Sequence, residues 1–145
     1  MKALLIDYRQ VRRINLKEED GHVSLKDLQH RVGGYVEPFD PLFETVTLYV
    51  NEDGIGCCDP NRLIIANRHM AEEGYASPKD PCRPVTPGEP YTILHGNIIA
   101  VGHDPQTGEA RPMTDGEEQE VRDYFHRVSR PGSGVMAVLA IRAGR

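Results

Sequence analysis

At 145 residues and 39% apolar content, the chain is long enough for one ordinary globular domain with its own core and too short for two well-buried ones. A formal net charge of −5 excludes the usual profile of a duplex-binding domain, which needs clustered Lys and Arg to displace counterions from phosphates, so no general nucleic-acid binding is expected. The opening apolar run of "MKALLIDYRQ" is cut by Asp7 far sooner than a signal peptide or a membrane span allows, and a soluble cytoplasmic protein with no membrane partner is expected.

Residues 2–7, "KALLID", and 10–16, "QVRRINL", read as two extended segments joined by a polar turn at Tyr8 and Arg9, a plausible hairpin. Ser24 then precedes "LKDLQHRV", where Leu25, Leu28 and Val32 fall at helical spacing, and Asp27 completes a capping box with a shorter acid. Gly33 follows as a residue able to take the left-handed conformation that closes a helix. Gly34 lets the chain reverse closely over the helix end. Tyr35 and Val36 then open a strand, "YVEPF", which Pro38 marks as an edge or an ending. In "TVTLYVNEDG", Val46, Leu48 and Val50 alternate with Thr45, Thr47 and Tyr49, the pattern of a half-buried strand, with a turn over 51–54.

Asp59, Pro60 and Asn61 stand before "RLIIANRHM" in the manner of a helix start, predicting a short helix that packs through Leu63, Ile64 and 66–71. Residues 74–91 hold five prolines and two glycines and read as an irregular insertion. Strand signals return in "YTILHGNIIAVGHD", where 98–101 form a buried central run closed by Gly102. Thr114 and Glu117 open the best-marked helix, with Val121, Tyr124, Phe125 and Val128 as its apolar stripe. After a Gly/Ser hinge, 135–141 are apolar on both faces and read as a strand that pairs within the fold or across a homo-oligomer. The expected architecture is a single α+β domain over 1–145, a mixed or mostly antiparallel sheet with two to three helices, a proline-rich insertion at 74–91 and a C-terminal strand extension at 131–145.

Catalytic chemistry has little purchase here. The six histidines stand singly, and there is neither a Walker-type loop nor a G-x-G-x-x-G. Cys57, Cys58, His69 and Cys82 lack the spacing that presents paired ligands to zinc, so reduced, buried or partly buried structural thiols are expected, with no metal and no cofactor.

Taken together and in order, "LQHRVGGYVE", "LYVNEDG", "DPNRLIIANR", "ILHGNIIAVG" and the helix after "MTDGEE" resemble domain-of-unknown-function family 3846 over roughly residues 1–128. The proline-rich insertion and the tail after Arg130 depart from that pattern. The resemblance implies an accessory protein of a phage or mobile element and supplies no catalytic residues.

Two functions from different classes fit these features. In the first, a non-enzymatic protein antagonises a host process, as an anti-defence protein does, by sequestering a small nucleotide-like ligand. Gly33, Gly34, Tyr35, Asn51, Asn61 and Arg62 lie at element junctions, where amides, an aromatic face and a guanidinium can hold such an anion. In the second, the proline-rich loop or the terminal strand docks on a host defence protein. For each site residue the plainer role is structural: glycines as corners, Asn51 and Asn61 as turn and cap residues, Arg62 as a surface ion pair.

Overall fold

Alternation along strand β1 (Lys2–Ile6) sets the layers of the fold, which the computed structural model describes for residues 1–142. Ala3 and Leu5 face one side of a sheet, Leu4 and Ile6 the other, and all four are buried, so both sides are covered. β1 pairs antiparallel with β2 (Val11–Asn15) as the predicted hairpin. A two-residue hairpin, β3 (Glu18–Glu19) and β4 (His22–Val23), leads into helix α1 (Leu25–Val32). Beyond the glycine corner come β5 (Val36–Phe39) and β6 (Val46–Asn51), an antiparallel pair in which Pro38 occupies the sheet edge. The full order is β2-β1-β9-β6-β5, with β9 (Ile98–His103) at the centre and the short β10 (Ala110–Arg111) beside its far end.

One face of this sheet meets α1, through Leu28 and Val32 against Leu5, Ile99 and Val101. The opposite face is covered by an antiparallel hairpin, β7 (Pro60–Ile65) with β8 (Pro90–His95), and by helix α4 (Asp115–Asp123). There Ile64, Leu94, Val121 and Phe125 pack on Leu4, Ile6, Ile98 and Ala100. Each buried Leu, Ile, Val or Phe among them contributes about 1.5–3 kcal/mol by leaving water, which is why the two-sided apolar run 98–101 occupies the central strand. The architecture is α+β, with antiparallel sheets and helices gathered on their faces.

Several elements differ from their expected form. The residues after Asp59 form strand β7, not a helix. Their β-branched run pairs with β8, Leu63 opposite Ile93 and Ile64 opposite Thr92, while Asn67 delays the helix start by accepting the Met70 amide, so α3 spans only Arg68–Glu73. The turn expected at 51–54 continues into a single helical turn, α2 (Gly54–Cys57). Ser24 caps α1 as expected, its Oγ accepting the Asp27 amide, but the Asp27 carboxylate does not return the bond; it accepts the Lys17 amide and pairs with Arg31 instead. Leu25 is exposed, and α4 runs on through a π-helical turn, Tyr124–Val128, that leaves Val128 at the surface. Cys57 and Cys82 are exposed and Cys58 half-buried, so the thiols are not core residues.

The largest correction concerns the C-terminal strand extension at 131–145: Ser133–Arg142 is a helix, α5, and 143–145 lie outside the described residues. The reason lies in the strand that it would have joined. On the side of β7 away from β8, Ser133 Oγ accepts the Leu63 amide at 2.8 Å and Ser129 Oγ donates to the Leu63 carbonyl at 2.7 Å. Two residues along, the Tyr124 hydroxyl accepts the Ile65 amide at 2.9 Å and donates to its carbonyl at 2.8 Å. Three hydroxyls thus occupy the edge that a strand would need. The Ala-, Leu- and Met-containing tail takes its intrinsic preference and lies as a helix on the hairpin. Gly134 permits the contact, since a Cβ there would stand 3.0 Å from Ile93 Cγ2 and 3.1 Å from the Arg62 amide nitrogen.

Candidate functional site

The C-terminus of α1 has carbonyls to satisfy, and the chain brings side chains to them from two strand ends. Gly33, at φ 81°, takes the left-handed conformation, and the amides of Gly33 and Gly34 both donate to the Gln29 carbonyl. Asn51, at the end of β6, donates its Nδ2 to the Val32 carbonyl at 3.1 Å and accepts the Asp53 amide on Oδ1 at 2.8 Å. Asn97, in the turn between β8 and β9, donates to the Arg31 carbonyl at 3.0 Å. Gly34 lies against the Asn51 amide so closely that a Cβ would come within 2.9 Å of Nδ2. Tyr35 holds the corner only through its backbone carbonyl, which accepts the Glu52 amide. Its ring is 70% exposed.

Asn61 and Arg62 form a second junction. Asn61 Nδ2 bridges the carbonyls of Ile6 and Gly96, at 2.9 and 2.7 Å, and so ties β7 to β1 and to the β8–β9 turn. Its Oδ1 accepts Arg62 Nη1 at 2.6 Å, and the same nitrogen donates to the Tyr8 carbonyl at 3.3 Å. Arg62 is not a surface ion pair: the side chain is wholly buried, its guanidinium 6.0 Å from the centre of the Phe125 ring. Among the described residues Nε and Nη2 have no hydrogen-bond partner. Burial works against this charge and lowers its pKa, and the field of Asp7 opposes that shift.

Between the two junctions lies a cleft of about 540 Å³ lined by Tyr8, Asp59, Pro60, Asn61, Gly96, Asn97 and, from α5, Val135. Strand pairing explains the convergence. Ile6 lies opposite Ile98 and Pro60 opposite His95, which sets the β1–β2 turn, the start of β7 and the β8–β9 turn side by side. Of the six residues expected at a site, the fold joins Gly33, Gly34 and Asn51 in one corner and Asn61 and Arg62 in the other; of these only Asn61 lines the cleft, and the side chain of Tyr35 stands apart from both. Asn97 connects the corners, lining the cleft while its amide holds α1. Tyr8, Asp59 and Asn97 were missed as site residues because each reads locally as a turn or cap; the polar turns flanking the apolar strands were the only signal present.

The cleft's polar groups are of two kinds. The Asn61 amide is fully engaged with the framework, whereas the Tyr8 ring is half exposed and the Asp59 carboxylate makes no hydrogen bond among the described residues. Such an arrangement offers a ligand a stacking face and an acceptor on walls already held in place. The cysteines stand elsewhere, Cys57 and Cys58 with sulfurs 3.3 Å apart, and burial pushes the Cys58 thiol up to about 11. Such a thiol is a poor nucleophile at neutral pH. Among the described residues no three His, Cys, Asp or Glu side chains converge as a bound metal would require, and no helix is long and apolar enough to cross a membrane.

A family model described as Domain of unknown function (DUF3846) matches residues 1–126, which include every lining residue of the cleft except Val135 and stop short of α5. No curated protein and no solved structure matches the chain at a significant level.

Proposed function

The chain belongs to the DUF3846 family, and from that premise we propose that it is a non-enzymatic accessory protein of a phage or mobile element that antagonises host defence by sequestering a small nucleotide-like ligand in the Tyr8–Asp59–Asn97 cleft. The observation that carries this reading is the cleft itself. Its volume of about 540 Å³ suits a nucleotide-sized molecule, and its walls are fixed by the buried Asn61–Ile6 and the half-buried Asn97–Arg31 hydrogen bonds rather than by mobile side chains. A base stacks on Tyr8 and offers its N–H edge to the Asp59 carboxylate. Behind Asn61, the positive charge of Arg62 pairs with no carboxylate among the described residues and so favours an anionic group on the ligand. In the lining, Asp59 stands without a His, Cys, Ser or Lys beside it to complete a nucleophile–base pair.

Mass spectrometry of small molecules released from natively purified, then denatured, protein tests this. An intact nucleotide-like compound is expected, with Tyr8→Ala and Asp59→Asn each reducing its recovery and Tyr35→Ala leaving it unchanged. Protein that carries nothing and binds no member of a nucleotide panel rejects the reading, and consumption of the ligand on incubation rejects its non-enzymatic half.

A second reading, docking on a host defence protein, is favoured by one observation. Met136, Leu139 and Ile141 of α5 and Ile55 of α2 are exposed apolar side chains, and Ile55 and Ile141 flank an apolar groove along β8. A stable host partner that is captured by the full chain and lost on truncation after Arg130 would favour this reading over sequestration.

A further inference from the structure

The fold serves one edge of the Arg62 guanidinium and leaves the other idle. On the served edge Nη1 donates to Asn61 Oδ1 at 2.6 Å and to the Tyr8 carbonyl at 3.3 Å. Nε and Nη2, the two nitrogens of the other edge, have no hydrogen-bond partner among the described residues, although the side chain is wholly buried. Asp7, the carboxylate whose field reaches Arg62, spends Oδ1 on the amides of Arg9 and Gln10 and forms no ion pair with it. Burying a cation with two donors idle costs stability that an apolar side chain of the same volume would not.

The idle edge has a defined chemistry. Nε–H and the adjacent Nη2–H point in parallel and match two oxygens of one carboxylate or phosphate. Arg13 uses the same edge in this way, with Nε 3.1 Å and Nη2 3.2 Å from the two carboxylate oxygens of Glu118. Tyr8 and Asn61, which hold Nη1 of Arg62, both line the cleft of about 540 Å³, so the guanidinium stands directly behind its wall. The start of α5 completes that wall. Val135 lines the cleft, Gly134 rests on the backbone of Arg62, and Gly132 packs beside the Tyr8 hydroxyl. Gly132, at φ 78°, is a natural pivot, Ser133 Oγ ties the segment to β7 through the Leu63 amide, and Met136, Leu139 and Ile141 beyond it are exposed.

We propose that Arg62 is an oxyanion-binding residue of this cleft: with α5 pivoted outward at Gly132, Nε and Nη2 take two oxygens of a phosphate or carboxylate on the ligand. The inference rests on the cleft being the ligand site proposed above, and adds the group held there and the element that admits it. Nη1 stays on Tyr8 and Asn61, so the guanidinium is oriented before the anion arrives.

Calorimetric titration of the full chain with inorganic pyrophosphate, which carries the oxyanion without a base, tests it. Saturable binding is expected, reduced roughly tenfold or more by Arg62→Met, which keeps the volume, and by Arg62→Lys, which keeps the charge without the paired donors. Hydrogen exchange at the Leu63 amide of the parent chain, which Ser133 Oγ accepts, should accelerate when pyrophosphate binds, and this readout stands even if a variant folds poorly. Absence of saturable binding, parental affinity in either variant, or a Leu63 amide equally protected with and without pyrophosphate overturns the inference. The two readings fail differently. Pyrophosphate bound through Arg62 by a protein that retains no nucleotide supports the oxyanion role and rejects nucleotide sequestration. Nucleosides and nucleotides retained equally by the parent and by Arg62→Met uphold sequestration and overturn the oxyanion role.

Discussion

At the scale of single residues, Asn51 shows how one amide can close a corner. Its Nδ2 serves the last carbonyl of α1 and its Oδ1 the Asp53 amide, and the side chain is buried. Asn51→Ala leaves both backbone groups without partners, and urea unfolding should report a loss of about 1–3 kcal/mol. Gly34→Ala, which drives a Cβ into the same amide, should cost stability by the same route, so the two changes together cost less than their sum in a double-mutant cycle. Arg62 obeys a different rule, because it is a long buried side chain with only part of its guanidinium bonded. Arg62→Ala should destabilise by about 2–4 kcal/mol through the cavity it opens, whereas Arg62→Met, which keeps the volume without the charge, should recover most of that in the same unfolding assay.

At the scale of elements, the start of α4 is where pH should act. Thr114 Oγ1 accepts the Glu117 amide, and Glu117 Oε1 accepts the Thr114 amide in return. Burial opposes the charge of Glu117, but Arg111, the Thr114 amide and Thr45 outweigh it and hold the carboxyl at about 2. Glu118 is held at about 2 as well, by Arg13 first, then against burial by Arg122 and Lys2. Because both folded values lie below the ordinary 4.5, the associated stability is complete above that pH and is lost as pH falls from about 4.5 towards 2. Thermal midpoints measured across that window should fall steeply for the parent and less steeply for Glu117→Gln. The capped edge of β7 belongs to the same scale: Tyr124→Phe removes both hydroxyl contacts to Ile65 and should cost about 1–3 kcal/mol while preserving the ring packing on Phe43 and Phe125.

At the scale of the whole molecule, α5 lies beyond the family match and rests on the outer face of the β7–β8 hairpin with part of its apolar surface uncovered. A helix apolar on both faces favours self-association, which remains our expectation for this protein in solution. Sedimentation should show an oligomer that Leu139→Glu dissociates with little loss of thermal stability; a monomer for parent and variant alike rejects it.

Local chemistry was enough for much of this architecture. The two-sided run from Ile98 to Val101, the Gly33 stop and the Thr114–Glu117 box each depend on residues close in the chain and have the form expected, whereas Val46, Leu48 and Val50 share a face as expected but in a strand covered on both sides, with Thr47 buried too, rather than half-buried. Short apolar runs were different, since a buried strand and a buried helix share one pattern there. Whether Leu63 to Ile65 would extend depended on β8, nearly thirty residues away in the chain, and whether the tail would be strand or helix depended on hydroxyls from Tyr124, Ser129 and Ser133 filling the edge of β7. The cleft is likewise a product of tertiary structure. Tyr8, Asp59 and Asn97 are ordinary turn residues until antiparallel pairing lays three turns together, and no local preference encodes which turns will be neighbours.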